Sequence, residues 1–228
     1  WGGTLGLWFL GPAGKTTVAS ECRSENILSS LLGKPVNTPV QVAGENAFYT
    51  KSDNRSKFSA YVEHTCYFSD WMVTAGGMLN YISGNYGGLH FLPGMEISFP
   101  AGSLIMTGFS WHRAMRLPTF TDLYYSGPVN IGNPLLKPEF SNTIDWNLKV
   151  SSKYFRGDAG LFYRVGHNMI DWIKYDAEDL WQSQNLTEVK SYGAELQFEA
   201  DVNKLLSGFG PDKLNIGCFF NNQFKNAS

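Results

Sequence analysis

The side chains best suited to bind a ligand lie in and beside two long segments, residues 114–138 and 167–188. Aromatic rings offer flat faces on which a ring-shaped ligand stacks, and arginines pair with anionic groups. We therefore predict a ligand-binding site built from four aromatic residues and two arginines: Arg113, Arg116, Tyr124, Tyr125, Trp172 and Trp181. The alternative for any single ring is packing within the fold or a position at a membrane interface.

The first of these segments is unusual in composition. Residues 113–139 show no pattern of a helix or strand, and loops of that length are usually functional or disordered. Four prolines restrict the backbone and argue against a disordered linker: Pro118, Pro128, Pro134 and Pro138. A stiff, aromatic loop between two strand-like runs indicates a binding surface held on a rigid scaffold. The alternative is a structural corner that covers the rim of a barrel.

No catalytic or metal-binding motif accompanies these residues. The four histidines have no serine or cysteine partner in a recognisable arrangement: His64, His90, His112 and His167. The three cysteines are far apart and lack the spacing of metal ligands or of a disulfide framework: Cys22, Cys66 and Cys218. We therefore predict that the chain is not an enzyme and that it carries no resident metal or cofactor.

One acidic cluster lies in the second long segment: Asp171, Asp176, Glu178 and Asp179. Calcium prefers carboxylate and carbonyl oxygens, so a calcium site in this loop is one interpretation. The spacing lacks the glycine and the bidentate glutamate of an EF-hand loop. Hydration of the four carboxylates by solvent is the simpler interpretation.

Composition limits the class of protein. The formal net charge is −2 and no basic run occurs, which excludes the usual footprint of a nucleic-acid-binding protein. No run reaches the roughly 18 apolar residues that a transmembrane helix needs. The chain is rich in aromatic residues and glycine, with 7 Trp, 11 Tyr, 16 Phe and 24 Gly among 228 residues. This composition favours strands, turns and interfacial rings over helices.

The secondary structure is predicted from alternation with a period of two residues. In residues 140–151, for example, Ile144, Trp146 and Leu148 alternate with Asp145 and Asn147. Similar runs along the chain predict about ten antiparallel strands. Within the segment 26–56, residues 26–32 are interpreted as one short helix.

The connections between the predicted strands are distributed unevenly. The long ones, residues 26–56, 114–138 and 167–188, all fall at the same edge of an up-and-down sheet. Short turns such as 69–70 and 100–102 fall at the opposite edge. Long loops on one side and short turns on the other are typical of an outer-membrane barrel. We therefore predict an all-β, antiparallel, up-and-down transmembrane β-barrel, of which this chain is an incomplete portion.

The predicted strands are also long. Many run to about 11–14 residues, whereas soluble strands average about 5–6 and a tilted membrane strand needs about 9–11. Their polar faces carry charged residues such as Glu63, Asp145 and Glu195. Such charges suit a wet barrel lumen and equally suit the outside of a soluble sandwich, so the pattern of faces leaves this choice open.

Two sequence segments resemble the barrel signature of TonB-dependent outer-membrane receptors. The first is Arg116-Leu117-Pro118-Thr119-Phe120-Thr121-Asp122-Leu123-Tyr124-Tyr125. The second, which in that family starts the next strand, is Gly132-Asn133-Pro134-Leu135-Leu136-Lys137-Pro138-Glu139. Residues 191–196 also resemble a recurrent strand entry of the family. Within the family, the chain is most similar to vitamin B12 transporters and siderophore receptors.

This resemblance implies a barrel of roughly 22 strands filled by an N-terminal plug. It further implies energised uptake of a scarce nutrient chelate, cobalamin or a ferric siderophore, whose corrin or catecholate ring would meet the predicted aromatic side chains. The implied partners are outer-membrane lipid, the chelate and an inner-membrane TonB complex that acts through the plug. Residues 1–228 are then expected to be part of one barrel domain in the bacterial outer membrane, without the plug and the closing strands.

Two other functions stay open at this point. A passive porin or an adhesion barrel would keep the transmembrane strands but would have no plug. A soluble all-β carbohydrate-binding module would bury its apolar faces and remain in solution without detergent.

Overall fold

The computed structural model describes residues 1–84, 88–177, 179–205 and 213–226. They form twelve strands and two short helices. The elements are β1 (Gly2–Gly11), β2 (Gly14–Ser29), β3 (Lys34–Gln41), β4 (Phe48–Phe68), β5 (Trp71–Ile82), β6 (Gly88–Pro100), β7 (Ile105–Arg116), α1 (Phe120–Tyr124), β8 (Asn130–Ile131), β9 (Glu139–Ser151), β10 (Phe155–Ile173), β11 (Trp181–Ala200), α2 (Val202–Leu205) and β12 (Leu214–Asn226). Neither helix is long and apolar enough to cross a membrane.

Ten of the strands form a single meander in the order β1-β2-β4-β5-β6-β7-β9-β10-β11-β12. Each pair along this path is antiparallel, as in β10 with β11 and β7 with β9. The two remaining strands are short additions, with β3 on β4 and β8 parallel to β11. The predicted antiparallel up-and-down sheet of about ten strands is therefore confirmed.

One face of the sheet exposes apolar side chains and the other face buries polar ones, which is the reverse of the arrangement in a soluble protein. On β4, Phe58 and Val62 are 50% and 53% exposed, whereas the alternating residues Ser59 and Thr65 are 7% and 8% exposed. We call the face with exposed apolar side chains the outer face and the other the inner face. A soluble sandwich would bury its apolar face. A sheet with an apolar outside and a polar inside is the pattern of a transmembrane barrel.

Aromatic side chains pair on the outer face at two heights along the strands. Trp71 at the start of β5 stacks on Phe99 near the end of β6, with ring centroids 4.3 Å apart. Farther from the turn end, Tyr192 in the middle of β11 stacks on Phe224 near the end of β12, with ring centroids 5.9 Å apart. Bands of aromatic residues at two heights are the arrangement that fits the two interfaces of a bilayer.

The connections separate into two groups, as predicted. We call the edge with residues 12–13, 69–70, 101–104 and 152–154 the turn end, and the opposite edge the loop end. The loop end carries residues 30–47 and 117–138, among other connections. The one-sided distribution of long connections is thus present in the structure. The predicted turn at 84–87 and connection at 203–212 lie largely outside the described residues.

The predicted helix at residues 26–32 is wrong. Residues up to Ser29 continue β2, where Ser29 pairs with Lys51 of β4. Ser52 pairs with Leu28 on one side and with Lys34 on the other, so the chain crosses over β4 between β2 and β3. Gly33 permits this crossing, because an added Cβ would lie 2.8–2.9 Å from the Ser52 backbone. Pairing with β4 therefore overrides the local sequence pattern.

The predicted long connection at 167–188 is also too long. Strand β10 continues to Ile173 and β11 begins at Trp181, so the connection is residues 174–180. The ladder extends through polar residues, as in Asp171 opposite Gln184 and Ile170 opposite Asn185. Backbone hydrogen bonds continue there without an apolar alternation, which is why the periodicity does not reveal these strand ends.

Candidate functional site

Residues 117–138 connect β7 to β9 and fold over the inner face at the loop end. We call this segment the inner loop. The prediction that it lacks regular structure is wrong, because it contains α1 and the short strand β8. Its hydrogen bonds reach strands on both sides of its own hairpin. The inner loop is therefore the element around which the candidate site is arranged.

A capping box holds the first turn of α1. The Asp122 amide donates to Thr119 Oγ1 at 3.1 Å, and the Thr119 amide donates to Asp122 Oδ2 at 2.9 Å. These two bonds satisfy amide groups that a helix of five residues leaves without an internal partner. The chain then turns so tightly that an added Cβ on Gly132 would lie 2.9 Å from backbone atoms of residues 122–124.

Strand β4 holds one side of the inner loop through two polar residues. The Tyr124 hydroxyl donates to Asp53 Oδ2 at 2.6 Å, and Lys34 Nζ lies 3.5 Å from the other carboxylate oxygen of Asp53. Arg55 Nη1 donates to the Pro118 carbonyl oxygen at 2.6 Å. These contacts fix both the start of the inner loop and the end of α1.

Arg55 is itself held in place. Its Nε donates to Glu25 Oε2 of β2 at 2.6 Å, and its guanidinium carbon lies 4.9 Å from the centroid of the Phe120 ring. The Arg55 side chain is 12% exposed, so its charge lies in a partly desolvated position where such contacts are stronger than on a free surface. Arg55 thus links β2, β4 and α1.

The base of the inner loop is closed by an ion pair across β7 and β9. Arg116 Nε donates to Glu139 Oε2 at 2.7 Å, and the second guanidinium branch also binds this carboxylate. Glu139 is 4% exposed and its Oε1 accepts the Ile170 amide of β10 at 2.6 Å. Arg116 Nη1 also lies 3.8 Å from Asp122. One buried carboxylate therefore connects β7, β9 and β10 beneath α1.

Strand β11 holds the other side of the inner loop. β8 pairs with the start of β11 in parallel, with Asn130 opposite Trp181, and the Trp181 amide donates to the Val129 carbonyl at 2.9 Å. The Asn185 side chain accepts the Lys137 amide at 2.8 Å and donates to the Lys137 carbonyl at 3.0 Å. The inner loop is thus bound by both main-chain and side-chain contacts on this side.

The inner loop also buries apolar side chains of its own. Leu123 is 0% exposed, Leu136 is 3% exposed and Pro118 is fully buried. In contrast, Leu135 is 86% exposed. Burial of these side chains stabilises a short segment whose helix and strand are too small to be stable alone.

Below the inner loop, the inner face is polar. Glu63 accepts a short hydrogen bond from Tyr61, and Glu96 Oε1 accepts one from Ser98 at 2.9 Å. Glu63 and Glu96 line a groove of about 500 Å³ on this face. Carboxylates that keep water-facing positions suit a wet lumen, as the sequence analysis allowed.

The six predicted site residues fall into three groups. Tyr124 and Tyr125 belong to the inner loop, and Arg116 binds Glu139 at its base. Trp172 and Trp181 lie on β10 and β11, two register positions apart at the loop end. The sixth residue, Arg113, shares the outer face with Phe109 and Trp111, and its guanidinium lies 4.9 Å from the Phe140 ring. Arg116, Tyr124 and Tyr125 therefore belong to the inner loop and its base, Trp172 and Trp181 lie at neighbouring strand ends, and Arg113 lies on the opposite face.

The residues that hold the inner loop were not predicted from the sequence. Asp53, Arg55 and Asn185 are 71, 63 and 48 positions away from their partners in or beside the loop. No local spacing connects such residues, and each is a common polar residue on a strand. Glu139 was within the recognised signature, but its role as a buried acceptor was not evident from the sequence.

The described residues of the acidic cluster accept hydrogen bonds from main-chain amides. The Asp176 amide donates to Asp179 Oδ2 at 3.1 Å, and Asp171 Oδ1 accepts the Trp172 amide at 2.9 Å. These bonds stabilise a turn and a strand end. Glu178 lies outside the described residues. Within the described part of the chain, no group of three or more His, Cys, Asp or Glu residues is arranged to hold a metal ion.

The chain is similar to known outer-membrane receptor proteins over most of its length. A family model described as "TonB dependent receptor-like, beta-barrel" matches residues 2–223. The vitamin B12 transporter BtuB of Vibrio vulnificus (strain YJ016) is 28% identical over 162 residues, which are 70% of this chain and 25% of that protein. The chain thus spans about a quarter of the length of this curated relative.

Solved structures show the same fold. The siderophore receptor PirA from Pseudomonas aeruginosa superposes with a TM-score of 0.73 at 17% identity, covering 97% of this chain and 39% of PirA. A variant of the ferric enterobactin receptor PfeA from Pseudomonas aeruginosa, solved in complex with enterobactin, gives a TM-score of 0.64 at 16% identity. That match covers 87% of this chain and 32% of PfeA.

Proposed function

The chain belongs to the TonB-dependent receptor-like β-barrel family, and from this membership we propose that it takes part in uptake of a nutrient chelate across the outer membrane. The observation that carries the proposal is the family match, which extends over residues 2–223. The family is one of receptors and transporters, and its barrels lie in the bacterial outer membrane. The apolar outer face of the sheet agrees with that location.

The proposed cargo is a bulky metal chelate with flat rings, either a cobalamin or a ferric siderophore. The matched relatives include a vitamin B12 transporter and receptors for siderophores. Trp181 is 42% exposed at the loop end, where Trp172 and Tyr125 are half-buried, and Lys174 Nζ lies 5.6 Å from the centroid of the Trp181 ring. Exposed rings next to a cation suit a chelate that carries flat corrin or catecholate rings together with anionic groups.

The remaining predicted site residues fit this proposal to different degrees. Arg116 has a half-exposed side chain, but its carboxylate partners leave it less available to a ligand. The Tyr124 hydroxyl donates to Asp53, so only its ring face is offered to the cargo. Arg113, on the outer face near the loop end, is better placed for anionic lipid headgroups than for the cargo.

The proposed partners follow from the family. Outer-membrane lipid covers the apolar outer face, and an inner-membrane TonB complex supplies energy through a plug domain. Residues 1–228 are proposed to be one continuous part of a single barrel, in which further strands pair with β1 and β12. Such pairing would satisfy the backbone groups of both edges, which cannot remain open within a bilayer.

Isothermal titration of the detergent-solubilised full-length protein tests the cargo. The protein is titrated separately with cyanocobalamin and ferric enterobactin, each with and without calcium. We expect sub-micromolar binding of one chelate, equivalent to more than about 8 kcal/mol. Calcium dependence would support the calcium interpretation of the acidic cluster Asp171, Asp176, Glu178 and Asp179.

A matched pair of variants locates the binding site. Trp181→Ala removes an exposed ring at the loop end, and Trp71→Ala removes one of similar exposure on the outer face at the turn end. We expect Trp181→Ala to weaken binding by about tenfold or more and Trp71→Ala to leave it unchanged. A folded protein that binds neither chelate would contradict the proposed cargo, and equal effects of both variants would contradict the proposed site.

A further inference from the structure

The inner loop makes contacts that differ from those of a free surface loop. It leaves the sheet between β7 and β9, yet it is bonded to β4 on one side and to β11 on the other. In the order of the sheet, β4 and β11 lie on opposite sides of that hairpin. The inner loop therefore connects parts of the wall that do not contact each other directly.

We propose that the inner loop is a fixed brace of the barrel wall, which keeps its position when ligand binds and leaves. Asp53, Arg55 and Asn185 are its positioning residues. The inference rests on the proposed function for its consequence in transport, but the fixed position of the loop is a property of the protein alone. The moving segments of the binding site are then other loops.

The contacts on the β4 side hold two separate points of the loop. Arg55 binds the Pro118 carbonyl while a second nitrogen of its guanidinium binds Glu25, so its position is determined from two directions. Six positions further along the loop, Tyr124 donates to Asp53. Two attachment points prevent α1 from rotating about either one.

The contacts on the β11 side combine a main-chain ladder, which no rotamer change can release, with hydrogen bonds from the side chain of Asn185. Ile131 pairs with Gln182 in the parallel ladder, and the Asn185 amide binds both main-chain groups of Lys137. The same Asn185 nitrogen lies 2.6 Å from the Asn168 carbonyl oxygen. Asn168 has a positive φ of 55°, so the side chain of Asn185 also supports an irregular point of β10.

The interior of the inner loop resembles a small core. Leu123, Pro118 and Leu136 are buried, and Gly132 lies against the backbone of α1. Segments that move in function are generally those with few buried contacts. The described residues of the connection 174–180 match that description, since each is exposed. This contrast supports a fixed position for the inner loop.

The brace acts on the ligand through Trp181. The Trp181 amide donates to Val129 of the inner loop, and β8 pairs with this same strand end. A displaced inner loop would therefore displace the ring proposed to contact the chelate. Asp53, Arg55 and Asn185 influence binding through this connection, without themselves touching the ligand.

The first test measures mobility without any ligand. A nitroxide spin label is attached to cysteine at position 126 (Ser126→Cys) in the full-length protein, with the native cysteines replaced by serine. We expect one restricted spectral component in the parent protein. Two variants should each add a mobile spectral component: Asn185→Ala, and the double variant Tyr124→Phe/Arg55→Ala. The control variant Asn215→Ala, at the turn end, should not. A parent label as mobile as those of the variants would overturn the fixed position.

The second test prevents movement by a reversible bond. Ile131 and Gln182 are Cα partners in neighbouring strands, about 4.8 Å apart in such a ladder, which lies within the range that a disulfide bridges. Uptake of the chelate is measured in cells carrying Ile131→Cys with Gln182→Cys, oxidised and after reduction. We expect the two rates to agree within about twofold, because the bond joins residues that already stay together.

The outcomes separate the two proposals. Loss of uptake on oxidation with recovery on reduction would show that the inner loop must move, and would overturn the brace. Absence of uptake in every state, with a restricted spin label, would contradict the proposed function and leave the fixed loop standing. Unchanged uptake together with a restricted label would support both.

Discussion

The replacement of Glu139 by alanine is the most informative single change. This carboxylate is 4% exposed, binds Arg116 through both guanidinium branches, and accepts the Ile170 amide at 2.6 Å. Glu139→Ala removes both functions, whereas Glu139→Gln keeps an oxygen for the Ile170 amide and removes the charge and one of the two oxygens that Arg116 binds. The difference between the two variants therefore isolates the contribution of the hydrogen bond from the Ile170 amide.

The magnitude follows from these contacts. A hydrogen bond to a charged group contributes about 1.5–3 kcal/mol, and we take the lower value because the Arg116 side chain is 49% exposed. A buried amide without an acceptor costs about 1–3 kcal/mol, and the partly buried Ile170 amide warrants a value of about 1.5 kcal/mol. Glu139→Ala should thus destabilise the base of the inner loop by about 3 kcal/mol, and Glu139→Gln by about 1.5 kcal/mol.

Amide hydrogen exchange followed by mass spectrometry measures this local stability in the full-length protein. Where amides exchange by local opening, a change of about 1.4 kcal/mol in the free energy of opening changes the exchange rate tenfold. Peptides that cover residues 117–138 should exchange about 100-fold faster in Glu139→Ala and about tenfold faster in Glu139→Gln. Glu199→Ala, which breaks the exposed pair with Lys213 at the turn end, should leave them unchanged.

Two results would refute this reasoning. Equal rates in Glu139→Ala and Glu139→Gln would mean that the Ile170 amide does not depend on the carboxylate. No change in either variant, relative to Glu199→Ala, would mean that the ion pair does not hold the inner loop. A double variant with Arg116→Ala adds a check, because coupled partners should give less than the sum of the single effects.

Three further predictions concern single residues. Leu123→Ala, which truncates a fully buried side chain, should destabilise the inner loop by about 2–5 kcal/mol in the same exchange experiment, and Leu135→Ala, which truncates an exposed one, should have little effect. Gly132→Ala should speed exchange in residues 117–138 because its Cβ would meet backbone at 2.9 Å; Gly3→Ala, with open space around its Cβ, should not. Val62→Arg on the outer face should cost about 2–4 kcal/mol near the bilayer centre and lower the folded fraction seen as heat-modifiable gel mobility.

The main features of the fold were accessible from the sequence because they repeat. The alternation of apolar and polar residues within one strand indicates which side chains share a face of the sheet. Short turns between consecutive strands indicate that neighbouring strands pair as a meander. The family signature added the identity of the barrel, and the structural comparisons agree with it. Errors occurred where the alternation stops while the ladder continues, as at residues 26–29 and 167–173.

The helix α1 was missed for a different reason. Five residues are too few for a stable isolated helix, so no local propensity indicates one. Its formation depends on the Thr119–Asp122 capping box and on burial of Leu123 against the rest of the fold. The threonine and aspartate were visible in the sequence, but their spacing is common in turns as well.

Alternation and turn spacing thus predicted the ten strands of the meander, their order and their two faces, and the signature predicted the family. The exposure of the apolar face and the attachment of residues 117–138 to β4 and β11 became visible in the folded sheet alone. Alternation is encoded within one strand, whereas Asp53 and Tyr124 are 71 residues apart and meet through the curvature and register of the intervening strands. Contacts of that kind depend on the whole sheet, and no single stretch of sequence contains them.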